Sequence, residues 1–310
     1  GPDSGGTPVT FVLSQSIQAE EGVVCKFGEV SITPSKFEGT RVTCHSPAQA
    51  AGKVMASLSA ASTALGEALA FVFYAREHVS AVAPSVGDIG GGLVVSVVGL
   101  NFVDLGTSRP AGVSCKFAEA ISSTGTVISS SLVTCVTPQN KVGVVELEVS
   151  NNGIDFSADK VNFRYTPPVE IFSASPSMGS AAGGAEIRVE GMNFEADMRC
   201  SFGGEMIVSD VRSSTHSLCV APAHDPGVVS LRLSNNGIEL STSGFEFAFY
   251  EPLALVNLIP SVGQVLGGTP VTLVGENFME GELRCRFGRS EVPAGRESSS
   301  QINCKSPPGV

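Results

Sequence analysis

The sequence predicts an all-β protein made of small β-sandwiches in tandem, and three observations support this prediction. The 310 residues include 35 glycines and 18 prolines but only 16% charged residues, which is typical of many short strands joined by turns. One residue pattern recurs along the chain, and eight cysteines follow its period. Hydrophobic residues make up 42% of the chain, which is enough for a packed core in each unit.

The cysteines fall into four pairs of almost equal spacing. The first members of successive pairs are 90, 85 and 85 residues apart (115−25, 200−115 and 285−200), and each second member follows after 19 or 20 residues. The spacing favours four local disulfides, each closing a loop of about 20 residues, and buried free thiols are the alternative. The predicted pairs are Cys25 with Cys44, Cys115 with Cys135, Cys200 with Cys219, and Cys285 with Cys304.

A metal site is the other common use of cysteine. Zinc sites place cysteines two to four residues apart and match them with a second pair or with histidines, and the cysteines here are never that close. The four histidines do not recur at equivalent positions. We expect no metal and no cofactor, with a weak calcium site near Asp88 or Asp104 as the alternative. Because disulfides persist in oxidising compartments, we expect an extracellular or cell-surface location.

The first half of the pattern is clearest in the second, third and fourth units. Each opens with Pro-Ser-x-Gly and a Gly-Gly pair and continues through an alternating run to Gly-x-Asn-Phe. The runs VVSVVG, EIRVEG and VTLVG are predicted strands, because β-branched residues suit a pleated surface. The glycine that ends the run, Gly99 in the second unit, predicts a bulge or a positive φ. Phe102 is then expected to turn into the core.

The second half of the pattern contains Cys-x-Phe, a second cysteine with a proline three residues later, and a closing aromatic run. The phenylalanine two positions after each first cysteine shares that cysteine's face and is expected to pack on the disulfide. The pairs Asn152-Gly153 and Asn236-Gly237 predict tight type I′ hairpin turns. About seven short strands per unit indicate a small antiparallel sandwich.

Taken in order, Pro-Ser-x-Gly, Gly-Gly-Thr, Gly-x-Asn-Phe, Cys-x-Phe-Gly, Cys-x-x-Pro and Ser-Asn-Asn-Gly resemble the IPT/TIG immunoglobulin-like domain. They resemble the extracellular, disulfide-bearing kind that occurs in tandem in plexins, the hepatocyte growth factor receptor and fibrocystin-like proteins. The resemblance covers nearly the whole chain, although in the first unit Ala60-Ala61 replace the asparagine pair and Gly-x-Asn-Phe is absent. It implies tandem immunoglobulin-like β-sandwiches arranged as an elongated rod.

The pattern divides the chain into four repeats. Repeat 1 covers residues 1–77 without its opening strand, repeat 2 covers 78–167, repeat 3 covers 168–251, and repeat 4 covers 252–310 without its last strands. We therefore expect the chain to be a fragment of a longer array. Prolines between repeats 2 and 3 and between repeats 3 and 4 restrict the backbone, which favours a stiff series.

Motifs of catalysis are missing from the sequence. It contains no Gly-x-Ser-x-Gly, no P-loop and no His-Glu-x-x-His, so we expect a protein that is not an enzyme. The Gly-Gly pairs recur without a basic partner, which favours turns over a phosphate loop. A net charge of −11 disfavours nucleic-acid binding. No apolar run reaches the roughly 18 residues of a membrane span, so we expect no membrane insertion within this window.

These features predict a non-catalytic extracellular structural or adhesion array, part of a larger cell-surface, matrix or surface-filament protein such as a flagellar hair. One alternative is an extracellular receptor-type module that binds protein or carbohydrate, and another is an accessory region beside a catalytic domain. The expected partners are other protein chains, through self-assembly or at a cell surface. The hydroxyl-rich tracts Ser122–Thr126, Ser129–Ser131 and Ser298–Ser300 are interpreted as solvated loops, with attachment of O-linked glycan as the alternative.

Overall fold

The structure is a computed structural model that describes residues 1–17, 22–61, 63–106, 112–118 and 122–309. Its described residues form 30 strands and no helix, which confirms the all-β prediction. The chain separates into two compact units, Gly1–Pro168 and Val169–Val310, and each is described by itself. Within the described ranges, we find no helix with the length and apolarity that a membrane crossing requires.

Repeat 1 of the first unit folds into two sheets. One has the order β1-β5-β4, and the other has the order β3-β2-β6 with β7 and β8 both paired to β6. The core between them includes Phe27 and Phe73, both at most 1% exposed. The strands are β1 (Pro8–Val12), β2 (Val23–Phe27), β3 (Val30–Ile32), β4 (Lys36–Glu38), β5 (Arg41–His45), β6 (Gly52–Ala60), β7 (Thr63–Ala64) and β8 (Leu69–Phe73).

Repeat 2 contains the strands β9 (His78–Ala83), β10 (Val86–Asp88), β11 (Val94–Leu100), β12 (Ser114–Phe117), β13 (Ser122–Ser129), β14 (Leu132–Val136), β15 (Gly143–Ser150) and β16 (Val161–Thr166). The strand order is β10-β16-β15-β12-β13-β14-β11-β9. Strand β13 pairs with β12 near its start and with β14 near its end, so one strand connects the two sheets. Most pairs are antiparallel as predicted, but β10 runs parallel to β16.

In the second unit, repeat 3 repeats this plan and repeat 4 forms one five-stranded sheet. The orders are β17-β19-β23-β22 and β18-β25-β24-β20-β21 in repeat 3, and β26-β27-β30-β29-β28 in repeat 4. Repeat 3 contains β17 (Glu170–Ser175), β18 (Met178–Ser180), β19 (Glu186–Met192), β20 (Arg199–Phe202), β21 (Glu205–Val208), β22 (Asp210–Val211), β23 (His216–Val220), β24 (Gly227–Ser234) and β25 (Phe245–Tyr250). Repeat 4 contains β26 (Ala254–Ile259), β27 (Pro270–Glu276), β28 (Leu283–Phe287), β29 (Ser290–Ser298) and β30 (Gln301–Lys305).

The bulge predicted at Gly99 is present. The register between β9 and β11 shifts between Val98 and Gly99, and the positive φ of 61° falls on Asn101 two residues later. A side chain at Gly99 would collide with the ring of Phe102 and the carbonyl oxygen of His78. Phe102 turns into the core and is 2% exposed, which confirms its predicted orientation.

The type I′ hairpins predicted at the Asn-Gly pairs are wrong. Strand β15 ends at Ser150 and β16 begins at Val161, so residues 151–160 form a ten-residue loop. Only the glycine of the pair, Gly153 with φ 72°, has the positive φ that a type I′ turn requires at both centres. The asparagine side chains bond to backbone groups instead, and these bonds stabilise a longer loop.

The closing aromatic runs meet the phenylalanines of the Cys-x-Phe motifs in the cores. In repeat 2 the ring of Phe117 lies 5.5 Å edge-on from Phe163, which lies 4.9 Å from Tyr165. In repeat 3 the ring of Phe202 lies 5.5 Å from Phe247 in the same geometry. Edge-to-face pairs add roughly 0.5–1.5 kcal/mol to the burial of the rings themselves. These clusters hold the closing strands against the rest of each sandwich.

Candidate functional site

The eight cysteines form four disulfides, each within one repeat. They join Cys25 to Cys44, Cys115 to Cys135, Cys200 to Cys219, and Cys285 to Cys304, with Cα–Cα distances of 6.1 to 6.5 Å. All eight sulfur-bearing side chains are buried. In repeats 1 to 3 each bridge connects the two sheets of one sandwich. The cysteines are therefore framework residues, and none is a free thiol.

The first asparagine of each Ser-Asn-Asn-Gly motif ties two loops together. The side chain of Asn151 accepts a hydrogen bond from the backbone N–H of Val103 (3.0 Å) and donates one to the carbonyl of Asn101 (2.9 Å). In repeat 3, Asn235 likewise donates to the carbonyl of Asn193 over 2.7 Å. This contact explains the recurring asparagine of Ser-Asn-Asn-Gly. The asparagine of Gly-x-Asn-Phe is instead explained by its positive φ, 61° at Asn101 and 62° at Asn193, which asparagine tolerates better than most residues.

The second asparagine folds the loop on itself. Asn152 Oδ1 accepts hydrogen bonds from the backbone N–H groups of Ile154 and Asp155 (2.9 and 2.8 Å), and its Nδ2 donates to the Asp155 carboxylate (2.8 Å). Repeat 3 has the same arrangement with Asn236 and Glu239. The bonds made by these side chains are therefore structural in both repeats.

One exposed group in repeat 3 has the residue types of a hydrolytic triad. His216 Nδ1 lies 2.8 Å from Thr215 Oγ1 and 3.4 Å from Ser213 Oγ, and Nε2 lies 3.9 Å from the Glu190 carboxylate. However, Ser213 Oγ accepts hydrogen bonds from the backbone N–H groups of Thr215 and His216, which is a local serine turn. The group is therefore better explained as a turn than as an activated nucleophile.

The same serine turn occurs in repeats 2 and 4 without a histidine. The pairs are Ser129 with Ser131 and Ser298 with Ser300, each with the hydroxyls 3.2 Å apart. The backbone N–H of Phe102 donates to the carbonyl of Ser130, which attaches the turn to the Gly-x-Asn-Phe segment. Two of the tracts for which O-linked glycan was the alternative therefore form exposed structural turns.

An apolar cavity of about 640 Å³ lies against the single sheet of repeat 4. Its walls include Leu255, Leu258, Phe278, Leu283 and Ile302. In repeats 2 and 3 the closing strands and their aromatic rings pack against the equivalent core. The cavity is thus an exposed part of a sandwich core, and its lining contains no cluster of titratable groups that could carry out chemistry.

Within the first unit, the loop 151–160 of repeat 2 contacts repeat 1 and the segment that follows it. The Asp155 carboxylate accepts a hydrogen bond from Thr7 Oγ1 (2.6 Å), and Arg76 donates to the carbonyl of Phe156 (3.2 Å). His78 Nδ1 lies 2.6 Å from the Asp159 carboxylate. We call this set of contacts the repeat 1–2 joint.

Glu77 lies at the centre of the joint and was missed in the sequence. Its side chain is 1% exposed, its Oε2 accepts a hydrogen bond from Asn151 Nδ2 (3.3 Å), and its Oε1 has no hydrogen-bond partner. Burial raises the pKa of Glu77 to about 7, since the ionised carboxylate loses its hydration. The repeat pattern contains a signal for this residue. Glu77 lies seven residues before the proline of Pro-Ser-x-Gly, and at the same position repeats 3 and 4 have the aliphatic residues Val169 and Leu253.

No candidate metal site is present in the described ranges. They contain no group of three or more His, Cys, Asp or Glu side chains placed to hold an ion. Neither Asp88 nor Asp104 joins such a group, so the weak calcium site remains a prediction without support from the geometry.

Comparison with known proteins matches the recurring units to one family. The model described as IPT/TIG domain matches residues 78–165, 168–249 and 254–310. Human fibrocystin-L is 22% identical over 311 residues, covering 96% of this chain and 7% of fibrocystin-L. Mouse plexin-B2 is 24% identical over 210 residues, covering 64% of this chain and 11% of plexin-B2. The chain thus spans a small part of the length of these relatives.

Among solved structures, the plexin A4 full extracellular region aligns with 99% of this chain and 33% of its own chain, with 13% identity and a TM-score of 0.40.

The three ranges that match the IPT/TIG domain include three of the four disulfides, whereas Cys25–Cys44 lies before the first of these ranges. Since thiols stay reduced in the cytosol, the four bridges agree with an extracellular or cell-surface location.

Proposed function

Because the chain belongs to the IPT/TIG domain family and is an extracellular tandem array related to fibrocystin-L and the plexins, we propose that it is a non-catalytic structural or adhesion segment of a larger protein. In this proposal the four repeats, with boundaries at 77, 167 and 251, act as spacers that present binding surfaces at defined separations. The partners are other protein chains, either further copies of the array or proteins at a cell surface.

One observation carries the proposal: the polar residues that recur between repeats bond to loops of their own repeat, and the further bonds of Asn151 and Asn101 go to Glu77 and Arg76 at the repeat 1–2 joint. Asn151 and Asn235 link two loops, Asn152 and Asn236 fold one loop, and the serine turns attach to the Gly-x-Asn-Phe segments. A catalytic or ligand-binding constellation requires polar groups that converge on a reacting or bound molecule. The recurring residues instead maintain a repeated scaffold, which is what a structural array requires.

The surface supports protein partners more than sugars. Carbohydrate platforms use exposed aromatic rings, and this chain has no tryptophan and three tyrosines. Tyr74 and Tyr165 are buried, and most of the phenylalanines that follow the repeat pattern are in the cores. Exposed aliphatic side chains such as Val94, Val98 and Leu100 on strand β11 provide contact area for a protein instead.

An adhesion assay tests this function. Beads coated with the chain are mixed with each other and with cells, and clustering or attachment is counted beside a glycan array probed with the same protein. We expect attachment that trypsin treatment of the cells removes, together with a blank glycan array. Chain that has been reduced and alkylated is the control, and it should lose attachment because the framework is lost.

Two outcomes contradict the proposal. Sugar binding that free saccharide competes away would support the carbohydrate-binding alternative. Eight reactive thiols in the natively purified chain, measured by mass after alkylation without reductant, would remove the basis for an extracellular array.

A further inference from the structure

The repeat 1–2 joint contains an ionisable side chain at a position where repeats 3 and 4 carry an aliphatic one, Val169 and Leu253. Glu77 aligns with Val169 in repeat 3, which is buried as a core residue of its own unit. Burying a carboxyl group to 1% exposure destabilises the folded state unless the group is neutral or fully paired. Its Oε1 has no hydrogen-bond partner, and the donors to the carboxyl are neutral: the side chain of Asn151 and backbone N–H groups. The site therefore favours the protonated acid.

The charged and titratable groups around Glu77 give it no strong partner. Tyr74 is buried beside it with an unpartnered hydroxyl, and burial raises the pKa of that phenol. Burial is the largest effect and raises the pKa of Glu77, and the negative charge of Asp155 raises it further. Hydrogen bonds from the backbone N–H groups of Glu77 and Asn151 lower it, as do the charges of Arg76 and of the Gly1 amino group. Arg76 is directed to the carbonyl of Phe156, and burial lowers the pKa of the Gly1 amino group to about 6.

The contacts of the joint connect Glu77 to the arrangement of the two repeats. Its bonding partner Asn151 begins the loop 151–160, and that loop reaches Thr7 of repeat 1 through Asp155. Asn101 donates to the carbonyl of Arg76, so the Gly-x-Asn-Phe segment of repeat 2 also contacts the chain beside Glu77. Water reaches the Glu77 carboxyl only when these contacts separate.

We propose that Glu77 is a pH-sensitive latch: neutral Glu77 keeps the repeat 1–2 joint closed in acidic surroundings, and its ionisation loosens the joint near neutral pH. The biological use of the latch rests on the proposed spacer function. Because the joint sets the angle between two binding surfaces, the latch would make the spacer sensitive to pH. The latch itself is a property of the chain and is measurable without any partner.

The direction follows from linkage. In the closed joint the pKa of Glu77 is about 7, and in the open joint it returns toward the ordinary value of 4.5. The closed joint therefore binds more protons than the open one between these values, so closing is favoured at pH 5 and weakens as pH rises to about 7.

Hydrogen exchange of the full chain tests the latch. Wild type and Glu77→Gln are compared by mass spectrometry at the same pH, from pH 5 to pH 8, so that intrinsic exchange rates cancel. Glutamine keeps an acceptor for Asn151 but cannot ionise. In peptides covering residues 74–79 and 151–160, we expect exchange rates within about fourfold of each other at pH 5 and wild-type exchange faster by well over about tenfold at pH 8. Residues 235–244, the equivalent loop of repeat 3, should not change.

Three further samples keep the test decisive. Glu77→Val, which copies Val169, should give the same pH-independent joint if glutamine perturbs the fold. Acetylation of Gly1 removes the opposing amino group and should enlarge the pH effect. Asp159→Asn breaks the pair with His78 and should leave the effect in place.

Three results would overturn the latch. The first is exchange that does not change with pH relative to Glu77→Gln, and the second is exchange that increases toward acid. The third is loss of the pH effect in Asp159→Asn, which would assign it to the His78 pair. None of these results would affect the adhesion assay, so failure of the latch and failure of the proposed function are distinguishable.

Discussion

The bulge glycine of repeat 2 allows a graded test of how the Gly-x-Asn-Phe segment is built. Replacing Gly99 by alanine adds a Cβ that would lie 2.6 Å from the Phe102 ring and closer still to the carbonyl oxygen of His78. The φ of Gly99 is not positive, so the expected cost is steric alone. To remove the clash, either the Phe102 ring or the strand that begins at His78 must move, and packing holds both in place.

Two neighbouring glycines are matched controls. Gly92 has φ 88° and open space around its Cβ position, so Gly92→Ala measures backbone strain without a clash. Gly90 has open space and no positive φ, so Gly90→Ala should be close to neutral. We expect losses in the free energy of unfolding of about 3 kcal/mol for Gly99→Ala, about 1–2 kcal/mol for Gly92→Ala and at most a few tenths for Gly90→Ala.

Scanning calorimetry of the full chain measures the series. For a repeat of this size, 1 kcal/mol shifts the midpoint by about 4–8 °C, so Gly99→Ala should lower one transition by about 12 °C or more. Transitions of the second unit, Val169–Val310, should stay in place, because the clash lies in the first unit. Equal midpoints for Gly99→Ala and Gly90→Ala would refute the steric account of this glycine.

Three further substitutions test the framework, each followed by urea unfolding with matched wild type. Removing one bridge with Cys200→Ala and Cys219→Ala should cost about 3 kcal/mol, and an unchanged midpoint would contradict its role in stability. Asn235→Ala leaves the carbonyl of Asn193 without its side-chain donor and should cost about 1–3 kcal/mol; a loss below 0.5 kcal/mol would show that water replaces the bond. Tyr165→Phe removes only the hydroxyl that donates to the carbonyl of Pro138 and should cost about 1 kcal/mol, with a larger loss indicating repacking.

The recurring features of the fold were predictable from the sequence because local chemistry and tertiary position agree at them. Alternating β-branched runs became strands, and Phe102, Phe194 and Phe278 turned inward. The glycine of Gly-x-Asn-Phe predicted the bulge, since the conformation that it favours is the one that the sheet requires. Repetition strengthened each inference, because a pattern seen three times constrains the fold more than one seen once.

The Asn-Gly loops and Glu77 were missed for a shared reason: the structure of both depends on contacts between residues distant in sequence. A hairpin signal counts only neighbouring residues, whereas Asn151 bonds to Asn101, fifty positions away. Glu77 is buried because loop 151–160 packs over it, and a single acidic residue in a connecting segment carries no pattern of its own. The substitution of an acid for the aliphatic residue of the other repeats is the signal that could have identified it.

The position of the disulfides has a mechanical consequence for a chain under tension. The Cys115–Cys135 bridge closes off 20 of the 90 residues from 78 to 167. If a pulling force unfolds that repeat, the residues inside the covalent loop cannot extend, and the loop withholds roughly 70 Å of contour length. Each bridged module would therefore lengthen by about a fifth less than an unbridged one of equal size, which limits how far the tether stretches before the next module bears the load.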